Sequence, residues 1–376
     1  MTDTYIQITQ GKFQLLRFPI EKHERLRAWD AADEYLLNDV AAKIDAIENP
    51  RVLIINDSFG ALAVALHAVK PCCISDSFIS QLATSENLAL NQLESETVQL
   101  FNSLDLPSGP FDFILIKAPK TLAFLEDILT RLQGALSPDT QVIIAGMVKN
   151  MPASVWQTLE RLVGKTVPSK AVKKARLIYA TPDAQRIVPT NAYPVCYQLE
   201  NTEYRICNHA NVFSHQRLDI GTRFFLDNLP EDNKYQQVVD LGCGNGLVGL
   251  IFAAKNPKAH IQFIDESFMA VASAQQNFEH AFDDRSASFI TRDALTNFEP
   301  DSVDLVLCNP PFHQQNTIGN HIAVRMFKQA KSVLRTGGEL WVIGNRHLGY
   351  QASLQKYFSK VELLASNAKF IIVKAF

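Results

Sequence analysis

Val303-Asp304-Leu305-Val306-Leu307-Cys308-Asn309-Pro310-Pro311-Phe312 is an apolar run that stops at an amide and two prolines. Its first six residues have the near-continuous hydrophobicity of a parallel strand covered on both faces. Asn309 then falls at the carboxyl end of that strand, where open α/β sheets bind their ligands. Pro310 and Pro311 fix φ and lack N–H groups, so the turn offers carbonyl acceptors and few competing donors. Phe312 adds a flat apolar face. Acceptors beside an aromatic plane suit a planar ring with an exocyclic amine, a nucleobase or less often an amide. The plainer alternative is a proline turn that only ends a strand.

Upstream, Val238-Val239 runs into Asp240-Leu241-Gly242-Cys243-Gly244-Asn245-Gly246, which opens an apolar helix at 247–254. Glycines at 242, 244 and 246 let the backbone approach a ligand closely. The next strand, Ile261-Gln262-Phe263-Ile264, ends in Asp265, placed for a carboxylate to take both hydroxyls of a ribose. This layout suits an adenosine-type cofactor and leaves a nicotinamide dinucleotide as a rival. Two features favour S-adenosylmethionine. Asp240, at the head of the loop, suits a cationic amino-acid moiety better than a pyrophosphate, and the amine-accepting turn at Asn309 follows on the fourth strand. Asp293, after a strand at 287–291, is placed to meet the adenine edge; the alternative is a surface turn acid.

The same strand–helix alternation runs through the first half, which predicts a doubly wound sheet there too. The halves can be laid over each other. Val52-Leu53 to Gly60-Ala61-Leu62 matches Val238-Val239 to Gly246-Leu247-Val248. Asp76-Ser77-Phe78, with Asn87 ten residues after Ser77, matches Glu266-Ser267-Phe268, with Asn277 ten after Ser267. Phe111-Asp112-Phe113-Ile114-Leu115 matches Val303-Asp304-Leu305-Val306-Leu307, and Leu136 to Gly146 matches Leu334 to Gly344. A duplicated Rossmann-like domain is therefore expected, with units at 1–190 and 191–376 meeting in a linker. The first copy lacks the glycines and has Lys117-Ala118-Pro119-Lys120 in place of the Asn309 turn. It reads as a decayed copy kept for folding support or RNA contact.

A length of 376 residues fits two domains, and a net charge of −3 does not announce a nucleic-acid partner. A phosphate-binding surface would have to be local. The stretch 164–176 supplies one candidate, with Lys165, Lys170, Lys173, Lys174 and Arg176 and no acid; an ordinary solvated face is the alternative. Lys117 and Lys120 are further candidates. The six cysteines form no Cys-x-x-Cys pair and no His pattern completes a zinc site, so free thiols in a reducing cytoplasm and no metal are expected. No secretory leader or apolar run of membrane-spanning length is evident, so no membrane partner is expected.

Asp240 to Gly246, Asp265, Asp293 and Asn309 to Phe312, in this order, resemble the class I methyltransferases of exocyclic amines. Asn211-Val212-Phe213-Ser214, Asp219-Ile220-Gly221-Thr222-Arg223 and Asn309-Pro310-Pro311-Phe312-His313 narrow the resemblance to the ribosomal RNA guanine-N2 methyltransferases. In that family a decayed N-terminal methyltransferase copy precedes the active one. Ala28-Trp29-Asp30-Ala31-Ala32-Asp33-Glu34-Tyr35-Leu36-Leu37 and Asn309 to Gln315 resemble members acting on large-subunit (23S) rather than small-subunit RNA.

The resemblance implies methyl transfer from S-adenosylmethionine to the N2 amine of a guanine in 23S rRNA. Asn309 and Pro310 would accept the amine hydrogens, Phe312 would stack on the base, Pro311 would line the substrate side and Phe213 would cover the pocket. A buried core position is the alternative for Phe213. Asp240, Gly242, Gly244, Gly246, Asp265, Asp293 and Asn309 would surround the cofactor. Lys170, Lys173 and Lys174 would meet RNA phosphates. Rival substrates are adenine N6 and a protein glutamine; a different class altogether is an RNA-binding assembly factor with a vestigial fold.

Overall fold

The computed structural model describes residues 3–21, 24–214, 217–311 and 318–376, the side chains of 318–320 excepted. It divides into two compact units, Met1–Tyr193 and Pro194–Phe376. Each holds one seven-stranded sheet. In the second unit the strands lie in the order Ser288–Thr291, His260–Asp265, Gln237–Leu241, Val303–Cys308, Leu334–Asn345, Phe370–Ala375, Val361–Ser366. The first five run parallel; the last two form an antiparallel pair at the edge. The first unit repeats this order with Gln99–Asn102, Cys72–Ser75, Val52–Ile55, Phe113–Lys117, Gln141–Met147, Ala175–Ala180 and Thr166–Pro168. The expected pair of tandem Rossmann-like domains is borne out, with each sheet mixed rather than purely parallel.

Apolar strands explain the two-sided burial. Along Val303–Cys308, Leu305 and Leu307 face one core of the second unit, while Val306 and Cys308 face another. Leu334–Asn345 alternates likewise: Trp341 and Ile343 point to the first of these cores, Leu340 and Val342 to the second. The first of these cores lies under the helices Ile220–Leu226 and Leu247–Lys255, which contribute Phe225, Leu226, Leu247 and Phe252 to it.

The repeated Ser-Phe-x₈-Asn spacing has a physical cause. Ser77 and Ser267 each cap a helix, accepting from the N–H groups of Ser80 and Ala270 at 3.1 Å. Three turns later the buried amides of Asn87 and Asn277 bridge two backbone segments. Asn277 Oδ1 accepts from the Cys207 N–H at 2.7 Å, and its Nδ2 donates to the carbonyls of Cys207 and Asn245 at 2.9 and 3.0 Å. Asn87 does the same for Leu16 and the Phe59 carbonyl, at 2.8, 2.9 and 2.8 Å. Each Asn ties an N-terminal segment of its unit to the loop after the central strand. A buried amide with every group paired specifies one geometry.

Two expectations need correction. Cys196 and Cys207 are disulfide-bonded rather than free. They lie directly opposite each other in the hairpin of Val195–Gln198 with Arg205–Asn208, with Cα atoms 4.0 Å apart, so the register brings the sulfurs together. Cys72, Cys73, Cys243 and Cys308 are free thiols. Lys117, expected as a surface cation, is instead buried, with 13% side-chain exposure. Its Nζ lies 2.9 Å from Asp30 Oδ1 and 2.7 Å from Asp33 Oδ1. Burial works against its charge, but the two carboxylates outweigh it and raise the Lys117 pKa. Among the described residues no helix is long and apolar enough to cross a membrane.

Candidate active site

The second unit's site lies at the carboxyl ends of its central strands. After Gln237–Leu241 the chain turns through Gly242, Gly244 and Gly246, with φ of 71°, 53° and 77°. These left-handed values are costly for a residue with a Cβ. A Cβ on Gly244 would point into open space, so the surface there is left for a ligand. The Gly244 N–H donates to Asp265 Oδ2 at 2.9 Å, and Asp265 Oδ1 accepts from the Ser267 N–H at 3.0 Å. Asp265 thus fixes both the loop and the helix Phe268–Ala281 beside it. A glycine loop with an open face and an anchored carboxylate on the next strand fits the adenosine and amino-acid parts of S-adenosylmethionine.

Asp240 plays a different part from the one expected. Strand alternation turns it toward the helix Leu247–Lys255, where it is only 2% exposed and its Oδ2 accepts from the Gly249 N–H at 2.8 Å. It satisfies one of the unpaired donors in that helix's first turn. Asp240 thereby supports the helix that carries the loop. Burial pushes the Asp240 carboxyl up to about 8 from its ordinary 3.8. A folded value above the unfolded one means this group's contribution to stability is complete below about pH 4 and is lost as pH rises through about 8. Asp240→Asn, which keeps the acceptor without the charge, is therefore expected to melt roughly 3–6 °C above the parent protein at pH 9. The gap should close toward pH 4.5 in scanning calorimetry; a variant less stable than the parent at pH 9 would show that the carboxylate is folded in its charged form.

Asp293 is buried, which excludes the surface-acid alternative. Arg325 Nη1 and Nη2 donate to its two oxygens at 2.5 and 2.6 Å. The guanidinium fork holds the carboxylate in place and leaves only its remaining lone pairs for a cofactor. Nothing in the spacing from Asp293 to Arg325 announced this pair.

Asn309 follows its strand directly. Its Nδ2 donates to Thr222 Oγ1 at 3.2 Å, and Thr222 is itself held by Asp219, whose Oδ2 accepts from the Thr222 N–H at 3.0 Å. In this arrangement the Thr222 hydroxyl accepts from the amide nitrogen while lying 3.5 Å from Asp219 Oδ2. The other end, Oδ1, is buried and has no hydrogen-bond partner among the described residues. A buried acceptor left without a donor costs about 1–3 kcal/mol. The turn and the glycine loop face each other: a Cβ on Gly242 would sit 4.0 Å from the Asn309 carbonyl oxygen. Pro310 is buried and Pro311 exposed; Phe312 lies outside the described residues. Phe213 is 69% exposed, so it is not a core side chain. Its segment is tied to the glycine loop through Asn245 Nδ2, which donates to Asn208 Oδ1 at 2.9 Å.

The first unit shows the same backbone with different residues at the matching places. Asn56, at the place of Gly242, keeps φ at 65°, and Gly60, at the place of Gly246, keeps 77°. Sheet register puts Ser75 where the second unit has Asp265. It puts Lys117 where the second unit has Asn309, and the Lys117–Asp33 ion pair stands in for the Asn309–Thr222 contact. Among the described residues no cluster of His, Cys, Asp and Glu is placed to hold a metal ion.

A sheet of this strand order, with a glycine loop after the central strand and an acceptor turn after its neighbour, defines a class I methyltransferase that uses S-adenosylmethionine. The family described as RLMG N-terminal domain matches residues 3–184, and the Methyltransferase small domain family matches residues 203–374. The ribosomal RNA large subunit methyltransferase G of Ectopseudomonas mendocina (strain ymp) is 47% identical over 97% of both chains, and that of Pseudomonas syringae pv. syringae (strain B728a) 48% over 97% of both. This chain belongs to the ribosomal RNA large subunit methyltransferase G family. Among solved structures, the T. thermophilus 16S rRNA N2 G1207 methyltransferase (RsmC), in complex with AdoMet and guanosine, covers 99% of this chain with 97% of its own. Its TM-score is 0.77 at 19% identity, a likeness of fold.

Proposed function

We propose that this protein methylates the exocyclic N2 amine of one guanine in the 23S RNA of the large ribosomal subunit, in the cytoplasm. The observation that carries the reading is the Asn309 amide at the end of its strand, held by Thr222, with a buried Oδ1 that has no hydrogen-bond partner among the described residues. S-adenosylmethionine supplies a sulfonium methyl that is already activated. The protein's task is then aim. Asn309 Oδ1 and the Pro310 carbonyl accept the two N2 hydrogens and direct the nitrogen lone pair at the methyl; orientation of this kind can remove about 7–11 kcal/mol of a barrier. The same two oxygen dipoles face the positive charge that grows on N2 during transfer. Phe312 stacks on a base turned out of its helix, and Phe213, exposed and close in sequence to the anchored Asn208, covers it. Gly242, Gly244, Gly246, Asp265 and Asp293 surround the cofactor. Mass mapping of modified nucleotides in rRNA from a strain lacking this gene tests the reading: one N2-methylguanine should disappear from 23S RNA and return on complementation. An unchanged 23S map would overturn it.

The first unit contributes RNA affinity through the hairpin of Thr166–Pro168 and Ala175–Ala180. Lys173 and Lys174 sit at its turn with φ of 48° and 65°, and Lys170, Lys173 and Lys174 are all exposed. Lys173 lies 2.9 Å from Glu34, so part of its charge is already met. Replacing Lys170, Lys173 and Lys174 by alanine should weaken rRNA binding and flatten log Kd against log salt by about 2 units of slope. An unaltered slope would make the hairpin plain surface.

A further inference from the structure

Asn345 is a second buried amide at the same edge of the same sheet. It ends the strand Leu334–Asn345, is 5% exposed, and its Oδ1, like that of Asn309, has no hydrogen-bond partner among the described residues. The two strands are adjacent and parallel, with Cys308 beside Val342. Strand spacing and rise then put the Asn345 Cα roughly 8 Å from that of Asn309.

Both amides point to one face. Asn345 shares the alternation of Trp341 and Ile343, and Asn309 that of Leu305 and Leu307; all four apolar residues lie in the core beneath the helix Ile220–Leu226. The first turn of that helix touches both ends: Thr222 bonds Asn309, and a Cβ on Gly221 would lie 2.9 Å from Phe370, the residue paired with Asn345 across the ladder. Across the sheet, the glycine loop and Asp265 lie on one side of the Asn309 strand and Asn345 on the other. A ligand joined to the amine at Asn309 and extending away from the cofactor meets Asn345 next. In the first unit, register places Lys117 and Met147 at these two positions. Both amides are absent together from the copy that has lost the chemistry.

We infer that Asn345 is the residue that selects guanine: its side-chain oxygen accepts the ring N1–H while Asn309 holds the neighbouring N2 amine. This inference rests on the guanine-N2 reading above and sharpens it. Guanine presents two adjacent donor groups on its Watson–Crick edge, the N2 amine and N1–H. Adenine and cytosine present an amine beside a bare ring nitrogen that is itself an acceptor. A buried oxygen facing that nitrogen would be left unpaired and repelled, and sites that hydrogen-bond a substrate group reject analogues lacking it far better than apolar pockets reject a missing methylene.

The test uses the full-length protein and 23S RNA rebuilt by ligation around the mapped nucleotide, carrying either guanine or 2-aminopurine there. 2-Aminopurine keeps the amine and lacks N1–H. The parent enzyme should prefer guanine about 10- to 100-fold in kcat/KM. Asn345→Ala should lower the guanine rate and raise the 2-aminopurine rate toward it, since the oxygen that pairs with N1–H and repels a bare ring nitrogen is gone, so the preference collapses. Asn345→Asp, which keeps shape and acceptor, should keep the preference, and it decides the matter if the alanine variant fails to fold. Equal rates on both RNAs with the parent enzyme, a preference that survives in Asn345→Ala, or its loss in a folded Asn345→Asp would each overturn the assignment. Failure of the parent enzyme to label either RNA would instead overturn the guanine-N2 reading, and this inference with it.

Discussion

Asn309→Ala is expected to lower the single-turnover rate of methyl transfer about 100- to 1,000-fold, while affinity for S-adenosylhomocysteine changes less than about threefold. The amide contributes mainly when the amine is being aimed and charged, so its loss appears in the chemical step more than in binding. Asn309→Asp is the sharper variant. It keeps an acceptor of the same shape, so residual activity above that of alanine is expected. The added charge favours the cationic amine and also attracts the cofactor's sulfonium out of line. The Thr222 contact, 3.2 Å in the parent, would persist with the hydroxyl now donating. Near-parental single-turnover rates in both variants would mean that the amine is held elsewhere, and the reading of the Asn309 turn would have to be withdrawn.

Asp265→Ala should weaken cofactor binding about 100-fold by calorimetry. Two losses add. The ribose hydroxyls lose a charged acceptor, and the glycine loop loses the bond from Gly244 that holds its backbone in place. Asp265→Asn separates them: it keeps an acceptor for Gly244 but only a neutral one for the ribose, so a loss of about tenfold is expected. Unchanged affinity in the alanine variant would remove Asp265 from the cofactor site.

The tandem architecture was legible because it is written in local terms. Apolar strands followed by turns and helices recur at matching places, and the Ser-Phe-x₈-Asn spacing marks a capped helix with a bridging amide in each half. The antiparallel strand Ala175–Ala180 was hidden because lysines precede it and draw attention to charge. The hairpin of Tyr5–Ile8 and Gly11–Gln14 is too short and too polar to stand out. Within the site, the glycine loop, Asp265 and Asn309 were visible because each sits at a strand end in a recognisable order. The supporting contacts were not, since Thr222 to Asn309, Arg325 to Asp293 and Lys117 to Asp33 join residues 87, 32 and 84 positions apart. The direction of Asp240 depends on which side of a strand carries the helix, which spacing alone does not say. Asn345 lacked any motif; only the neighbouring strand gives it meaning.

Buried amide oxygens at two neighbouring strand ends set the second unit apart from the first. In the second unit Asn309 and Asn345 leave buried acceptors without a hydrogen-bond partner among the described residues, at a cost to the stability of the fold. In the other half, Lys117 with its two aspartates and Met147 at the second position answer or remove that demand. Selection for robustness alone would therefore reward changes at these two positions. Laboratory stabilisation of this enzyme by unsupervised screening would travel the same road, enriching apolar or self-paired residues at 309 and 345 and yielding a sturdier protein that no longer acts.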